Sequence, residues 1–203
     1  MKFLIIKRSI YLVALALAFL MTVSTAMANG NQRFATILDK LVQTDGAQAV
    51  VAAVLVVDEA EVLEFSLAEI LGNKREDVVL FAPGNAAFEK LLGLEPGTLN
   101  GLTIEEIVAA LPGLLPPGVD AGTVAAILLK HVSLPRRANL RTASENALLE
   151  NGSVVVADES VFAVGIGATG VQINYETTII KANIKARNGV IHYIDTVIVD
   201  DLL

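Results

Sequence analysis

The sequence predicts an α+β domain, and three observations carry that prediction. The front half holds short amphipathic segments with helix-start signals. The back half holds β-rich runs separated by turn residues, and the last long stretch, residues 178–199, alternates about a central Asn-Gly pair. Helices gathered in one half and strands in the other point to segregated layers rather than to repeated βαβ units.

That last stretch is the element around which the rest is arranged. Ile180, Ala182, Ile184 and Ala186 alternate with Lys181, Asn183, Lys185 and Arg187, the period of two of a half-buried strand. Asn188-Gly189 is a strong hairpin signal, because both central residues of a type I′ turn take positive φ. Residues 190–199 are apolar on both faces, as in a central strand. An Asn188-Gly189 loop sets Ala186 opposite Ile191, Ile184 opposite Tyr193 and Ala182 opposite Asp195. The Asp195 carboxylate then lies on the apolar face, where it needs a donor or must titrate.

The front half reads as a series of capped helices. Phe34, Ile37, Leu38, Leu41 and Val42 share one stripe, which Asp45-Gly46 ends. Residues 47–57 continue as a small-residue helix with Val50, Val51, Val54 and Leu55 on one side. Ser66 and Glu69 form a capping box for a short helix that Gly72 stops, and residues 74–77 make a solvated turn. Val78-Val79-Leu80-Phe81-Ala82 is a buried strand broken by Pro83-Gly84. Asn85 then caps a helix over residues 86–92 that turns Phe88 and Leu91 inward. Thr103 and Glu106 form a second capping box, for a helix that ends by Pro112, and Asp120 caps another over residues 121–131. On it Val124, Ile127, Leu128 and His131 share one face, so His131 sits on the apolar stripe. From Asn151-Gly152 the pattern is strands, at residues 153–157, 161–164 and 171–175.

A chain of 203 residues suits one domain. Lys2, Lys7 and Arg8 form a basic start, an apolar run follows over residues 10–21, and Ala26-Met27-Ala28 is a small-x-small site. Residues 1–28 are therefore expected to be a cleavable signal peptide, residues 29–33 a short lead, and residues 34–201 the domain. An uncleaved anchor is the alternative, but the run is short for a span and no basic stop-transfer segment follows. Losing those three bases takes the formal charge from −7 to −10, which disfavours nucleic acid and anionic lipid as partners. The absence of cysteine excludes disulfides, thiol chemistry, a thiolate zinc site and a lipid-modified cysteine. The expected product is soluble and secreted or periplasmic, with no membrane span once the signal is removed.

With these residues in view, the chain resembles a single fasciclin-type (FAS1) domain. Val79-Leu80-Phe81-Ala82-Pro83-Gly84-Asn85-Ala86-Ala87-Phe88 is similar to the family's first motif, in which a strand meets FAPTNEAF. Leu128-Leu129-Lys130-His131-Val132 resembles its central Tyr-His motif. Asn188-Gly189-Val190-Ile191-His192-Tyr193-Ile194-Asp195 is similar to its closing NGVIHVID motif. The resemblance covers residues 34–201 and implies a compact wedge, a bent β-sheet or sandwich with helices packed along it. It also implies an extracellular adhesion or matrix-type binding module. Gly84 stands where the family has Thr, and Lys130 where the motif has Tyr. Because that Tyr-His region is credited with integrin contact in animal members, integrin binding is not carried over.

Other chemistry finds little support. Gly165-Ile166-Gly167-Ala168-Thr169-Gly170 spells GxGxxG, but a strand pattern follows it where a dinucleotide loop needs a helix. His131 and His192, with Asp195, contain enough donors for a divalent ion, yet both histidines fall in fold-shaping motifs. Asn85, His131, His192 and Asp195 are therefore expected to be structural ties between helices and hairpin, with no catalytic, metal or cofactor site. Replacing Asp195 by Ala is then expected to lower the unfolding midpoint clearly. Asp58-Glu59, Glu105-Glu106 and Asp200-Asp201 are expected to be solvated, and Asn151-Gly152-Ser153 matches a glycosylation sequon. The apolar loop over residues 111–118 either folds its leucines onto the core or presents Leu114 and Leu115 as a partner contact. The function expected is non-enzymatic adhesion to a cell-surface or matrix protein or polysaccharide. The alternative is a carrier of a lipid-like small molecule in an apolar pocket between helices and sheet.

Overall fold

A computed structural model describes residues 35–133, 148, 152–174 and 176–199. The expected signal segment, the lead, Phe34, Asp200-Asp201 and the Asn151 sequon position lie outside the described residues. The described helices are α1 (Ile37–Val42), α2 (Gln48–Glu59), α3 (Leu67–Gly72), α4 (Asn85–Leu92), α5 (Ile104–Leu114) and α6 (Ala121–Leu129). The strands are β1 (Val78–Pro83), between α3 and α4, then β2 (Val132–Ser133), β3 (Ser153–Val155), β4 (Val161–Gly167), β5 (Gly170–Ile173), β6 (Thr177–Ala186) and β7 (Gly189–Ile194). Helices in front and strands behind match the α+β class expected from the sequence.

Helix α2 is the hub of the helical layer. Ala49, Val50, Val51, Ala52, Ala53 and Val54 are all buried, so the expected stripe widens to the whole circumference of these turns. A helix apolar all round must be enclosed, and its alanines let the neighbouring helices approach. Leu55, expected inside with the valines, is only half-buried. The capping box of α5 forms as read: the Thr103 Oγ1 accepts the N–H of Glu106, and the Glu106 carboxylate accepts the N–H of Thr103. The helix does not end by Pro112, however, but runs through it to Leu114. Proline there removes one ladder donor in the last turn, and the Leu115 N–H still reaches the Leu111 carbonyl at 3.2 Å. Helix α6 is shorter than expected, with Lys130 as its C-cap and His131 beyond it.

The sheet runs β2-β1-β7-β6-β5-β4-β3, antiparallel throughout except for the central β1–β7 pair. Strand β1 is buried along its entire length because it separates two cores. Val78, Leu80 and Ala82, with Ile191 and Tyr193, face the helices. Val79 and Phe81, with Ile194, face the other way onto Val154, Phe162, Val164, Val171 and Ile173. The strands after β7 in the order thus curl back over β1. At the two ends of the order, the Ala157 N–H donates to the Val132 carbonyl at 2.7 Å and the Ser133 hydroxyl to the Val155 carbonyl at 2.6 Å. The curled sheet nearly closes on itself, which protects both its end strands.

The hairpin forms, but not in the expected register. Ala186 pairs with Gly189, Lys185 with Val190 and Ile184 with Ile191, so the loop is Arg187-Asn188. Asn188 does not have positive φ, and the type I′ turn is replaced. The reason is docking: Gly189 pairs with Val78, and a Cβ at Gly189 would lie 1.7 Å from the Val78 carbonyl oxygen. Two register shifts follow along β6, with Asn183 at φ 61°. They change the phase of the alternation, so Ile180 is 63% exposed and Asp195 lies at the surface rather than on the apolar face. The GxGxxG segment is a β-hairpin, with Gly167 closing β4 opposite Gly170 opening β5.

Candidate functional site

The expected ties are Asn85, His131, His192 and Asp195. Asn85 is not the cap of α4 but its first residue, following Gly84, and its side chain is spent elsewhere. Its Oδ1 accepts the N–H of Ala49 at 3.0 Å, an orphan donor in the first turn of α2, whose N-cap Ala47 has no capping side chain. Its Nδ2 reaches Gln48 Oε1 at 2.9 Å, Asn100 Oδ1 at 3.2 Å and the Leu99 carbonyl at 3.4 Å. One buried amide thus joins α4, α2 and the loop before α5.

His131 lies beyond α6, 1% exposed. Its Nδ1 is 2.7 Å from the Ile127 carbonyl, and its Nε2 accepts the N–H of Ile198 at 3.0 Å. Those two roles fix the neutral ring with its proton on Nδ1. His192 is fully buried in β7 and stacks on Phe81, its partner in the parallel ladder, at 5.7 Å between centroids. The N–H of Phe81 donates to the His131 carbonyl at 2.9 Å, so Phe81 sits between the two histidine positions. At the base of the hairpin, Asp195 Oδ1 accepts the N–H of Thr178 at 2.8 Å, and the Asp195 N–H donates to the Thr178 carbonyl at 3.1 Å. These ties act at separate places and do not converge on one cleft.

Four further polar anchors escaped the sequence. Asn188, 1% exposed, accepts the N–H of Ile37 on its Oδ1 at 2.8 Å and donates its Nδ2 to the Leu71 carbonyl at 2.9 Å. It thereby satisfies the first residue of α1 and the last turn of α3 together. Asp58 is not a free solvated acid: its carboxylate accepts the Ser66 hydroxyl and the N–H groups of Leu67 and Ala68, capping α3 from outside. Ser66 Oγ accepts the N–H of Glu69 as expected, and the two N–H groups before it, those of Leu67 and Ala68, are taken by Asp58. Buried Glu89 accepts the N–H groups of Gly97 and Leu99, at 2.8 and 2.7 Å. Lys130, only 9% exposed, places its Nζ 3.1 Å from Asp158 and 5.8 Å from the centre of the Phe162 ring. Burial pushes the Asp158 carboxyl upward, but the N–H and hydroxyl of Ser160 together with Lys130 outweigh it and hold the group below the ordinary carboxylate value. Burial pushes the Tyr193 phenol up, against a smaller opposing effect of the Thr44 hydroxyl.

The proposed contact residues Leu114 and Leu115 are both half-buried. Leu115 packs on the helical core and, with Phe88, Leu91, Pro116 and Val119, lines an apolar recess among α2, α4, α5 and α6. That cavity measures about 30 Å³. The large apolar side chains that do reach the surface are Val62, Phe65, Val155, Val161, Ile166 and Ile180.

A family model described as the Fasciclin domain matches residues 47–200. The chain belongs to the fasciclin domain family. Among solved structures it is similar to a FAS1 domain pair from the insect cell adhesion molecule Fasciclin I, with a TM-score of 0.59 and 15% identity. That likeness covers 83% of this chain and 52% of the other, so the chain spans about half the length of the pair. No curated protein matches. Within this fasciclin domain the three quoted motifs meet in space: the first supplies β1 and α4, the second the end of α6 and β2, and the third β7. Strands β2, β1 and β7 are neighbours in the sheet. The motifs are thus the frame of the fold, in keeping with the non-catalytic adhesion role general to fasciclin domains.

Proposed function

We propose that this fasciclin domain is an exported adhesion or matrix-type module that makes cell-surface or extracellular contacts and carries out no reaction of its own. The observation that supports this reading best is the commitment of its reactive side chains. Both ring nitrogens of His131 are engaged by backbone groups, and the carboxylates of Asp58, Glu89 and Asp195 all accept backbone N–H groups. A base or metal ligand needs a lone pair directed at substrate or ion, and here those lone pairs hold the chain together.

Beads coated with the protein and incubated with its own cell-envelope extract test the proposal. Saturable capture of an envelope component, absent from beads carrying heat-unfolded protein, is the expected result. Capture no greater than that of the unfolded control overturns it.

A further inference from the structure

Charge is divided unevenly in this molecule. Residues 41–129, which contain the helices α2 to α6, hold 13 acids and three bases. Residues 177–194, the β6–β7 hairpin, hold Lys181, Lys185 and Arg187 and no acid. All three side chains are exposed. Neither Lys181 nor Lys185 has a carboxylate within ion-pairing distance among the described residues. In a chain of formal charge −7, this segment is a cationic strip on an acidic body.

We infer that residues 181–187 bind a linear acidic polysaccharide, one that carries carboxylate or sulfate groups along its length. The inference deepens the adhesion reading and rests on it. At about 3.3 Å per residue, Lys185 lies roughly 13 Å from Lys181 and Arg187 roughly 7 Å further on, distances that the bulges shorten. Ala182 packs on the core of Phe81 and Ile194, whereas Ile184 and Ala186 pack on the helical core. The bulge at Asn183 thus sets Lys181 on the opposite face of the strand from Lys185 and Arg187. This edge of β6, which β5 leaves at Thr178, offers charges on both its sides and no pocket. A thin polyanion lying along that edge meets the cations of both sides group by group, releasing counterions as it does.

Other anionic partners fit less well. Single-stranded nucleic acid draws affinity from aromatic stacking, and residues 181–187 contain no aromatic. An anionic membrane presents a plane, which the acids of the helical half repel. A protein interface needs on the order of 1,000 Å² with an apolar centre, and Ile180 is the one large exposed apolar side chain of the hairpin among the described residues. Lysines and bulges also guard strand edges against pairing, a role that predicts no ligand and is separable by binding.

The test is retention of the whole protein on immobilised heparin (sulfate) and alginate (carboxylate), with dextran as the neutral matrix. The expected result is retention on a polyanion at about 50 mM salt, lost as salt rises, and none on dextran. Lys181→Gln/Lys185→Gln weakens it about tenfold or more and lowers the salt slope by about two. Lys74→Gln/Arg75→Gln, which removes two exposed cations outside the strip, leaves retention unchanged. Unfolding midpoints stay within about 2 °C in both variants, since all four side chains are exposed. No retention on either polyanion, equal loss in the two variants, or equally tight binding of a single-stranded oligonucleotide overturns the inference. If the beads still capture an envelope component while heparin and alginate fail, the polysaccharide inference falls and adhesion stands. If the beads capture nothing, the adhesion reading falls.

Discussion

His131 Nε2 accepts the backbone N–H of Ile198 at 3.0 Å, so a single imidazole at the end of α6 holds the chain that leaves β7. His131→Ala leaves that buried N–H without an acceptor and opens a cavity beside it. Its expected cost is about 3 kcal/mol, a fall of roughly 6–12 °C in the thermal midpoint. The ring has a second, independent signature. With Nδ1 donating to Ile127, ¹⁵N NMR of the neutral form places the proton on Nδ1. A resonance pattern with the proton on Nε2 contradicts the bridge.

Asn188 is the corresponding tie on the other side of the hairpin. Asn188→Ala removes partners from Ile37 and Leu71 at once, and is expected to destabilise by about 2–3 kcal/mol in urea unfolding. Gly189→Ala is expected to be worse, because its Cβ meets the Val78 backbone where the local φ is 144°. An Asn-Gly pair that served only as a turn predicts the opposite order of interest: at Asn188, substitution by Ala costs under about 1 kcal/mol, since an exposed side chain has no buried partner to strand.

That pair also shows where the sequence stopped being legible. Periodicity and capping are local, and they located β1, α5, the cap of α6 and the hairpin to within a few residues. The register was missed because Gly189 is shaped by Val78, more than a hundred positions away, and no local rule carries that contact. Asn85 and Asp58 were misread in the same way. Local pattern makes Asn85 the cap of its own helix and Asp58 a solvated acid, yet each satisfies orphan N–H groups of another helix. Asn85, His131 and His192 were recognisable as buried polar residues from their motifs, whereas Asp195 was placed on the wrong side by the register error. Asp195 itself is exposed and its bond to Thr178 only part-buried, so the clear loss of stability expected of Asp195→Ala becomes a modest one, about 1 kcal/mol.

The Lys130–Asp158 pair sets an acid-dependent term in stability. The folded carboxyl sits below its ordinary value of about 3.9, so its contribution is complete above that pH and is lost as pH falls through and below it. Asp158→Asn is therefore expected to lower stability by about 1 kcal/mol between roughly pH 5 and 8, and by progressively less below about pH 4. Chemical denaturation of both proteins across that range checks it. A difference that grows on acidification reverses the sign and rules out the pair as its source.

The apolar recess among α2, α4, α5 and α6 decides how a lipid-like ligand should behave. Its volume of about 30 Å³ is close to the share of a single water molecule, and about a tenth of the smallest usual ligand pocket. An acyl chain of some sixteen carbons cannot enter without prising α4 from α6, which would expose Phe88, Ile127 and Leu128. A carrier holding such a chain at a hundredfold excess over Kd gains about 2.7 kcal/mol, several degrees in midpoint for a domain of this size. The expected result with excess hexadecanoate is instead a shift within about 1 °C. The recess can also be filled from inside. Val124→Ile adds one methylene, which a cavity of this size accepts, and is expected to raise stability by up to about 1 kcal/mol. A ligand-induced rise of several degrees that Val124→Ile abolishes makes the recess an opening pocket and restores the carrier reading.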